Sequence, residues 1–324
     1  MKAALVARRR QVTLGILLLL LLIVPPFLSS FLLTLLTQGV IYAILAMSLD
    51  IILGYTGLAS LGHASYLGLG AYSVAILAMR HGAGFWVTLA VGVLLAALVA
   101  AIFGLVALRA TGVYFLMITL ALGMVVWGLA HRWVSMTQGD NGISGILRPN
   151  LGLPWSLAHG LPFYYFALIG FFLALWLLWM VVRSPFGQTL VGIRESESRM
   201  RTLGYHVWLH KYIGFTIAGA VGGFAGVLWA YYNGFVSPAE LQLATSVEIL
   251  LMVALGGRGT LLGPALGAGI IVFLKNLVSV YTHRWLLILG AVYIGTIVYA
   301  PEGIVGAVRQ WTKGVRPEPL RSRT

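Results

Sequence analysis

Cysteine is absent from all 324 residues, which excludes disulfides, thiolate metal sites and thiol nucleophiles. Charge is nearly as scarce. Lys, Arg, Asp and Glu together make up 9% of the chain, against about 25% in an ordinary soluble domain, so a normal water-facing surface is excluded. No G-x-x-x-x-G-K-S/T phosphate loop, H-E-x-x-H or G-x-S-x-G motif occurs. The chain therefore has no recognisable means of hydrolysing ATP or of familiar hydrolysis within a membrane, and reads as a non-enzyme without a cofactor. Any ATP-driven work requires a partner subunit, with ATP and magnesium held there.

What is present instead is apolar sequence in long runs. Hydrophobic residues make up 60% of the chain, and a membrane-spanning helix needs about 20 of them in succession. Candidate spans are Val12–Leu28, Leu32–Leu53, Leu61–Met79, Phe85–Leu108, Val113–Trp133, Phe163–Val182, Tyr212–Tyr232, Leu243–Leu255, Leu261–Val280 and Trp285–Ala300. The expected fold is an all-α, polytopic bundle of about ten helices, forming one transmembrane domain over residues 1–324. Lys2 and Arg8 to Arg10 precede the first run, which reads as an uncleaved helix ended by Pro25 and Pro26.

A formal charge of +13 would suggest nucleic acid in a soluble protein, but here the cations sit in short segments between spans, and topology accounts for them. With the N-terminus inside, sixteen of the 21 Lys and Arg fall on the cytoplasmic side and only Arg80, Arg132, Arg148 and Arg284 fall outside. Both termini are then expected to be cytoplasmic, and nucleic acid is not an expected partner. The eighth span is the weakest, a short apolar core followed by Gly256-Gly257-Arg258-Gly259. Residues 134–161, rich in turn formers, make the longest outer loop.

Ionisable groups inside spans are functional candidates because their burial in hydrocarbon is costly. Asp50 and Glu248 are the two acids so placed; each suits a substrate amine or a coupling ion, and each suits a structural role near a helix end equally well. Lys275 either pairs or extends towards the interface. Residues 54–64, GYTGLASLGHA, are too rich in glycine and polar groups to face lipid, so they line a pathway or pack tightly against protein. Tyr55, His63, Tyr66, Tyr72 and Tyr114 complete the pathway candidates, although a lone histidine more commonly bonds neighbouring backbone than a ligand. Gly219, Gly222, Gly223 and Gly226, with Gly263 and Gly267, form small-residue rows at four-residue spacing, the signature of close helix packing.

One long polar segment lies between two spans, from Arg183 to Lys211, RSPFGQTLVGIRESESRMRTLGYHVWLHK. Pro185 and Gly187 break the preceding span, Gln188 to Arg194 predict a helical turn or two, and Ser196 predicts the cap of a second helix with Glu197 in its first turn. Gly204 is placed to end it. A short helix of alternating charge with Ile193, Met200 and Leu203 among its apolar residues suits a groove in a soluble partner; a loop resting on anionic lipid headgroups is the alternative.

Four blocks together carry a resemblance: residues 54–72 (GYTGLASLGHASYLGLGAY), 111–120 (TGVYFLMITL), 183–204 (RSPFGQTLVGIRESESRMRTLG) and 234–263 (GFVSPAELQLATSVEILLMVALGGRGTLLG). The chain resembles the permease subunits of branched-chain amino acid ABC importers, the high-affinity leucine, isoleucine and valine type. The resemblance implies that Arg194, Glu195, Glu197, Arg201 and Gly204 belong to a cytoplasmic coupling helix seated in an ATPase subunit. It also implies a second, related permease, two ATP-binding cassette ATPases and a periplasmic binding protein. Leu58 stands where many relatives carry glutamine, and the asparagine frequent near Ser196 is missing; similar permeases carry urea, short amides or aromatic acids. An ion-coupled secondary transporter or channel using Asp50, Glu248 and Lys275, and a membrane enzyme or scaffold, are the readings from other classes.

Overall fold

A computed structural model describes residues 19–149, 157–281, 285–299 and 303–306. Eleven helices organise them: α1 Ser30–Asp50, α2 His63–His81, α3 Phe85–Ala107, α4 Val113–Arg132, α5 Gly160–Arg183, α6 Pro185–Glu195, α7 Glu197–Thr202, α8 Val207–Asn233, α9 Leu243–Gly256, α10 Leu262–Tyr281 and α11 Trp285–Tyr299. A π-helical turn, Ile51–Tyr55, prolongs α1. Among the described residues six helical stretches are long and apolar enough to cross a membrane: Ser30–Tyr55, Phe85–Ala107, Val113–Arg132, Gly160–Arg183, Val207–Asn233 and Leu262–Val280. Helices α2, α9 and α11 also coincide with expected spans but fall outside that set, α9 as a shorter apolar helix of 14 residues. Most of the first expected span, Val12–Leu28, lies outside the described residues.

The bundle is built around α1, which is buried without interruption from Gly39 to Asp50 and packs on α5, α8, α9 and α10. Its apolar character runs all round, as a helix enclosed by other helices requires. In lipid, helix association depends on close packing of small side chains rather than on the hydrophobic effect, and the glycine rows of α8 meet that need within the chain. A Cβ on Gly223 would collide with Ala96 of α3, and one on Gly226 would collide with the Leu67 carbonyl of α2. The two rows thus seat two different helices, Gly219 and Gly223 facing α3 and Gly222 and Gly226 facing α2. Gly263 and Gly267 do the same for α10 against α9, where a Cβ would strike the carbonyls of Gly256 and Met252.

Pro25 and Pro26 form the start of a 3-10 turn. Because neither has an N–H, the carbonyls of Leu21 and Leu22, four residues earlier, lose their helical donors. Tyr164 and Tyr165 of α5 supply replacements, their hydroxyls donating to Leu21 O at 2.9 Å and Leu22 O at 2.8 Å. Two adjacent tyrosines therefore satisfy what two adjacent prolines leave open. At the same end of the bundle, the connection after α4 reaches α8 through an antiparallel pair, Ile143–Ser144 with Phe235–Val236. Ser237 and Glu240 close a capping box on the turn that follows.

Candidate functional site

The charged segment folds as two short helices, α6 with a buried face and α7 without one. Ser184 caps α6 by accepting from Gly187 N at 3.4 Å, with Pro185 in the first turn, where its missing donor is harmless. The helix therefore begins earlier and runs longer than Gln188 to Arg194. A Cβ at Gly187 would overlap the carbonyls of Val181 and Val182, so glycine permits the sharp return from α5. Leu190 and Ile193 of α6 are buried against the bundle. Ile193, expected to face a partner, is thus occupied within the chain, because α6 lies flat on α8 and the π turn.

Ser196 is extended and caps α7, accepting from Arg199 N at 3.4 Å. At the other end Gly204 sits at φ +86°, Tyr205 N–H reaches Met200 O and Gly204 N–H reaches Arg201 O, a Schellman ending. No residue of α7 is buried. It is strapped down by Glu197, whose carboxylate accepts from Arg201 and from the buried Lys211 of α8, each at 2.5 Å. Burial alone would raise the Glu197 carboxyl. Bonding and charge from Lys211, with Arg201, outweigh it and hold the group below the ordinary carboxylate range. Glu195, Arg199, Arg201, Leu203 and Gly204 remain exposed.

Arg194 is exposed as well, but its guanidinium reaches back to the bundle. Its Nη1 donates to the carbonyl of Gly54 in the π turn, its stem passes Gly57 with Cγ 3.1 Å from where a Cβ there would stand, and Nη1 lies 3.1 Å from the same point on Gly259. Beside it, the fully buried Asp50 accepts from Gly259 N at 2.7 Å and from Leu261 N at 3.1 Å. A Cβ on Gly54 would collide with the Asp50 carboxylate and Gly259 N. Gly57 and Gly259 have φ of +78° and +75°, so glycine serves both the conformation and the close approach. Three segments distant in sequence meet here: the end of α1, the end of α6 and the loop between α9 and α10.

Glu248 of α9 is buried and accepts from Lys275 of α10 at 2.9 and 3.0 Å. His63 is fully buried, its Nε2 2.7 Å from Ser48 Oγ and its ring edge-on to Tyr66 at 5.2 Å. Among the described residues, His63 Nδ1, Ser65 Oγ and the hydroxyls of Tyr66 and Tyr72 have no hydrogen-bond partner. Tyr55 is buried within the π turn, whereas Tyr114 is 75% exposed at the first turn of α4, away from this interior cluster. No three His, Asp or Glu side chains among the described residues are grouped to hold a metal ion. Sequence reasoning overlooked Ser48, Gly259 and Leu261; the Gly256-Gly257-Arg258-Gly259 run was the one local signal for the last two.

The family described as "Branched-chain amino acid transport system / permease component" matches residues 31–297. Similar proteins include the high-affinity branched-chain amino acid transport system permease protein LivM of Escherichia coli, 32% identical over 86% of this chain and 70% of that protein. The autoinducer 2 import system permease protein LsrC of an Enterobacter species is 28% identical over 75% of this chain and 67% of its own. A LivM permease described as probable, from Methanocaldococcus jannaschii, is 27% identical over 39% of this chain and 41% of its own. No solved structure matches the chain. A family match over most of the chain, joined to a helical bundle with six membrane-length apolar stretches, establishes that this protein belongs to the permease components of branched-chain amino acid transport systems.

Proposed function

We propose that the chain is the permease subunit of an ATP-driven importer of branched-chain amino acids, working by alternating access. The observation that carries this reading is the divided charged segment. Leu190 and the guanidinium of Arg194 join it to the bundle, while Glu195, Arg199, Arg201 and Leu203 are exposed. A transmitted conformational change needs both attachments. Nucleotide must favour one permease state over the other to drive transport. The chain supplies the membrane pathway and the contact, and ATP chemistry resides in two partner ATPases. A second, related permease and a periplasmic binding protein complete the complex. All ten spans cross the cytoplasmic membrane, with both termini and residues 183–211 inside.

Cargo identity rests on the LivM relatives. The LsrC relatives bear the name of a different import system, so cargo within this family is not uniform, and the second reading is an importer of the same design with another solute. An ion-coupled carrier has less support, because Asp50 already holds two backbone N–H groups and Glu248 already holds Lys275. The test is to reconstitute the whole complex in liposomes with its binding protein and measure ATP-dependent uptake. Leucine, isoleucine and valine should be accumulated in preference to urea, short amides, aromatic acids and autoinducer 2. Uptake driven by a proton or sodium gradient without nucleotide would overturn the ATP-driven reading.

A further inference from the structure

We infer that Arg194 is a positioning residue, which fastens α6, the π turn of α1 and the loop between α9 and α10 into one body that moves as a unit when the charged segment is displaced. The inference rests on the reading of the chain as an ATP-driven permease and goes beyond it, since that reading assigns Arg194 only to the surface that meets the ATPase. The geometry gives the exposed Arg194 a contact with the bundle as well. Nη1 of Arg194 is spent on the Gly54 carbonyl, and the guanidinium also faces Gly259.

Each tie in this joint has its own physical basis. Gly54 lies near the end of α1, where carbonyls lack helical donors and carry the negative end of the helix dipole. A guanidinium, always charged and forked, suits that position better than an ammonium. Asp50 cannot leave its place cheaply, because a buried carboxylate that lost the N–H groups of Gly259 and Leu261 would be left unpaired. The three glycines, 54, 57 and 259, leave no room for movement within the joint, since a Cβ at any of them would press on Asp50, on Arg194 or on the facing backbone. Packed interfaces of this kind shift between discrete arrangements instead of deforming smoothly. Displacement of α6 is therefore delivered to α1, the most enclosed helix of the bundle, and to α9 and α10 together.

The experiment uses the complete reconstituted complex. In Arg194→Gln, the ATPase subunits should still co-purify and basal ATP hydrolysis should persist, while uptake falls about tenfold, so that more ATP is consumed per solute moved. Arg194→Lys, which retains a single donor, should recover part of the coupling. A covalent tie should replace the lost bond. Because the chain has no native cysteine, Gly57→Cys with Arg194→Cys gives one defined pair, and the two Cβ positions are 3.9 Å apart, within the disulfide range of about 3.5–4.5 Å. Oxidation of that pair should restore uptake and reduction should return it to the level of Arg194→Gln.

Loss of ATPase co-purification in Arg194→Gln would make Arg194 a docking residue and overturn the inference, as would an unchanged ratio of ATP to solute. An oxidised pair that stays uncoupled would show that the segments must separate during the cycle, which also overturns it. If the strained Gly57 position prevents folding of the cysteine pair, the Gln and Lys variants decide alone. A wild-type complex that moves no solute with ATP overturns the permease reading itself, and the inference with it.

Discussion

Helices α6 and α7 are neighbours in a segment that is uniformly polar by sequence, yet the bundle treats them differently. Helix α6 buries Leu190 and Ile193, and its exposed Arg194 bonds the Gly54 carbonyl. Helix α7 buries no residue and is tied to α8 by Glu197 on Lys211, with Met200 against Gly192 of α6. Charge density along a segment does not say which of its residues are available to a partner. Availability is set by which face meets the bundle, and a one-residue break at Ser196 is enough to turn the face.

The sharpest way to break the comparison is to place a charge on each side of it. Ile193→Asp puts an unpaired carboxylate into a buried site at a cost of several kcal/mol, and should abolish recovery of folded permease in size-exclusion chromatography. Leu203→Asp, on the exposed side of the segment, should leave recovery unchanged and lower ATPase co-purification. Equal losses from the two variants would erase the distinction.

A smaller effect is expected from Arg201→Glu. Reversing Glu197 as well would confuse the outcome, because Lys211 would then face a cation in a buried site. The single reversal removes one of the two partners of Glu197 and alters the exposed surface; uptake should fall while Lys211 keeps α7 in place. Retention of normal uptake and ATPase binding would remove Arg201 from the contact surface.

Smaller again is Ser196→Ala, which deletes the α7 cap and should cost about 1 kcal/mol of local stability, read as reduced amide protection confined to residues 197–203. The smallest is the response to pH. The folded-state carboxyl of Glu197 lies below its ordinary range, so its contribution is fully present above the unfolded value and is lost as pH falls through the folded one. Protection factors of α7 should therefore hold steady from neutrality down to about pH 5 and decline only below about pH 4. A decline that begins near pH 6 would remove Glu197 as the controlling group.

Much of the architecture was legible because its causes are local. Membrane-length apolar runs dictate helices wherever backbone groups must be satisfied internally, and the nine expected spans that fall on described residues all coincide with helices. Capping at Ser196 and termination at Gly204 follow from side-chain and backbone chemistry within a few residues. The glycine rows announced close packing, but not that Gly223 seats α3 while Gly226 seats α2. Pro25 and Pro26 announced a helix end, but not that Tyr164 and Tyr165 would satisfy the carbonyls they orphan.

Along residues 183–211, capping residues and breakers foretell the short helices α6 and α7. The packed bundle alone sets that Ile193 is buried and that the exposed Arg194 reaches back to Gly54, while Arg199, Arg201 and Leu203 are exposed without such a tie. Likewise the sequence marked Asp50 and Glu248 as costly charges, and only the fold chose their partners, Gly259 and Leu261 for one and Lys275 for the other. The reason is physical. Hydropathy, capping and proline act over a few residues, whereas a buried charge is satisfied by whatever group the packed bundle brings beside it, here more than 200 residues along the chain for Asp50.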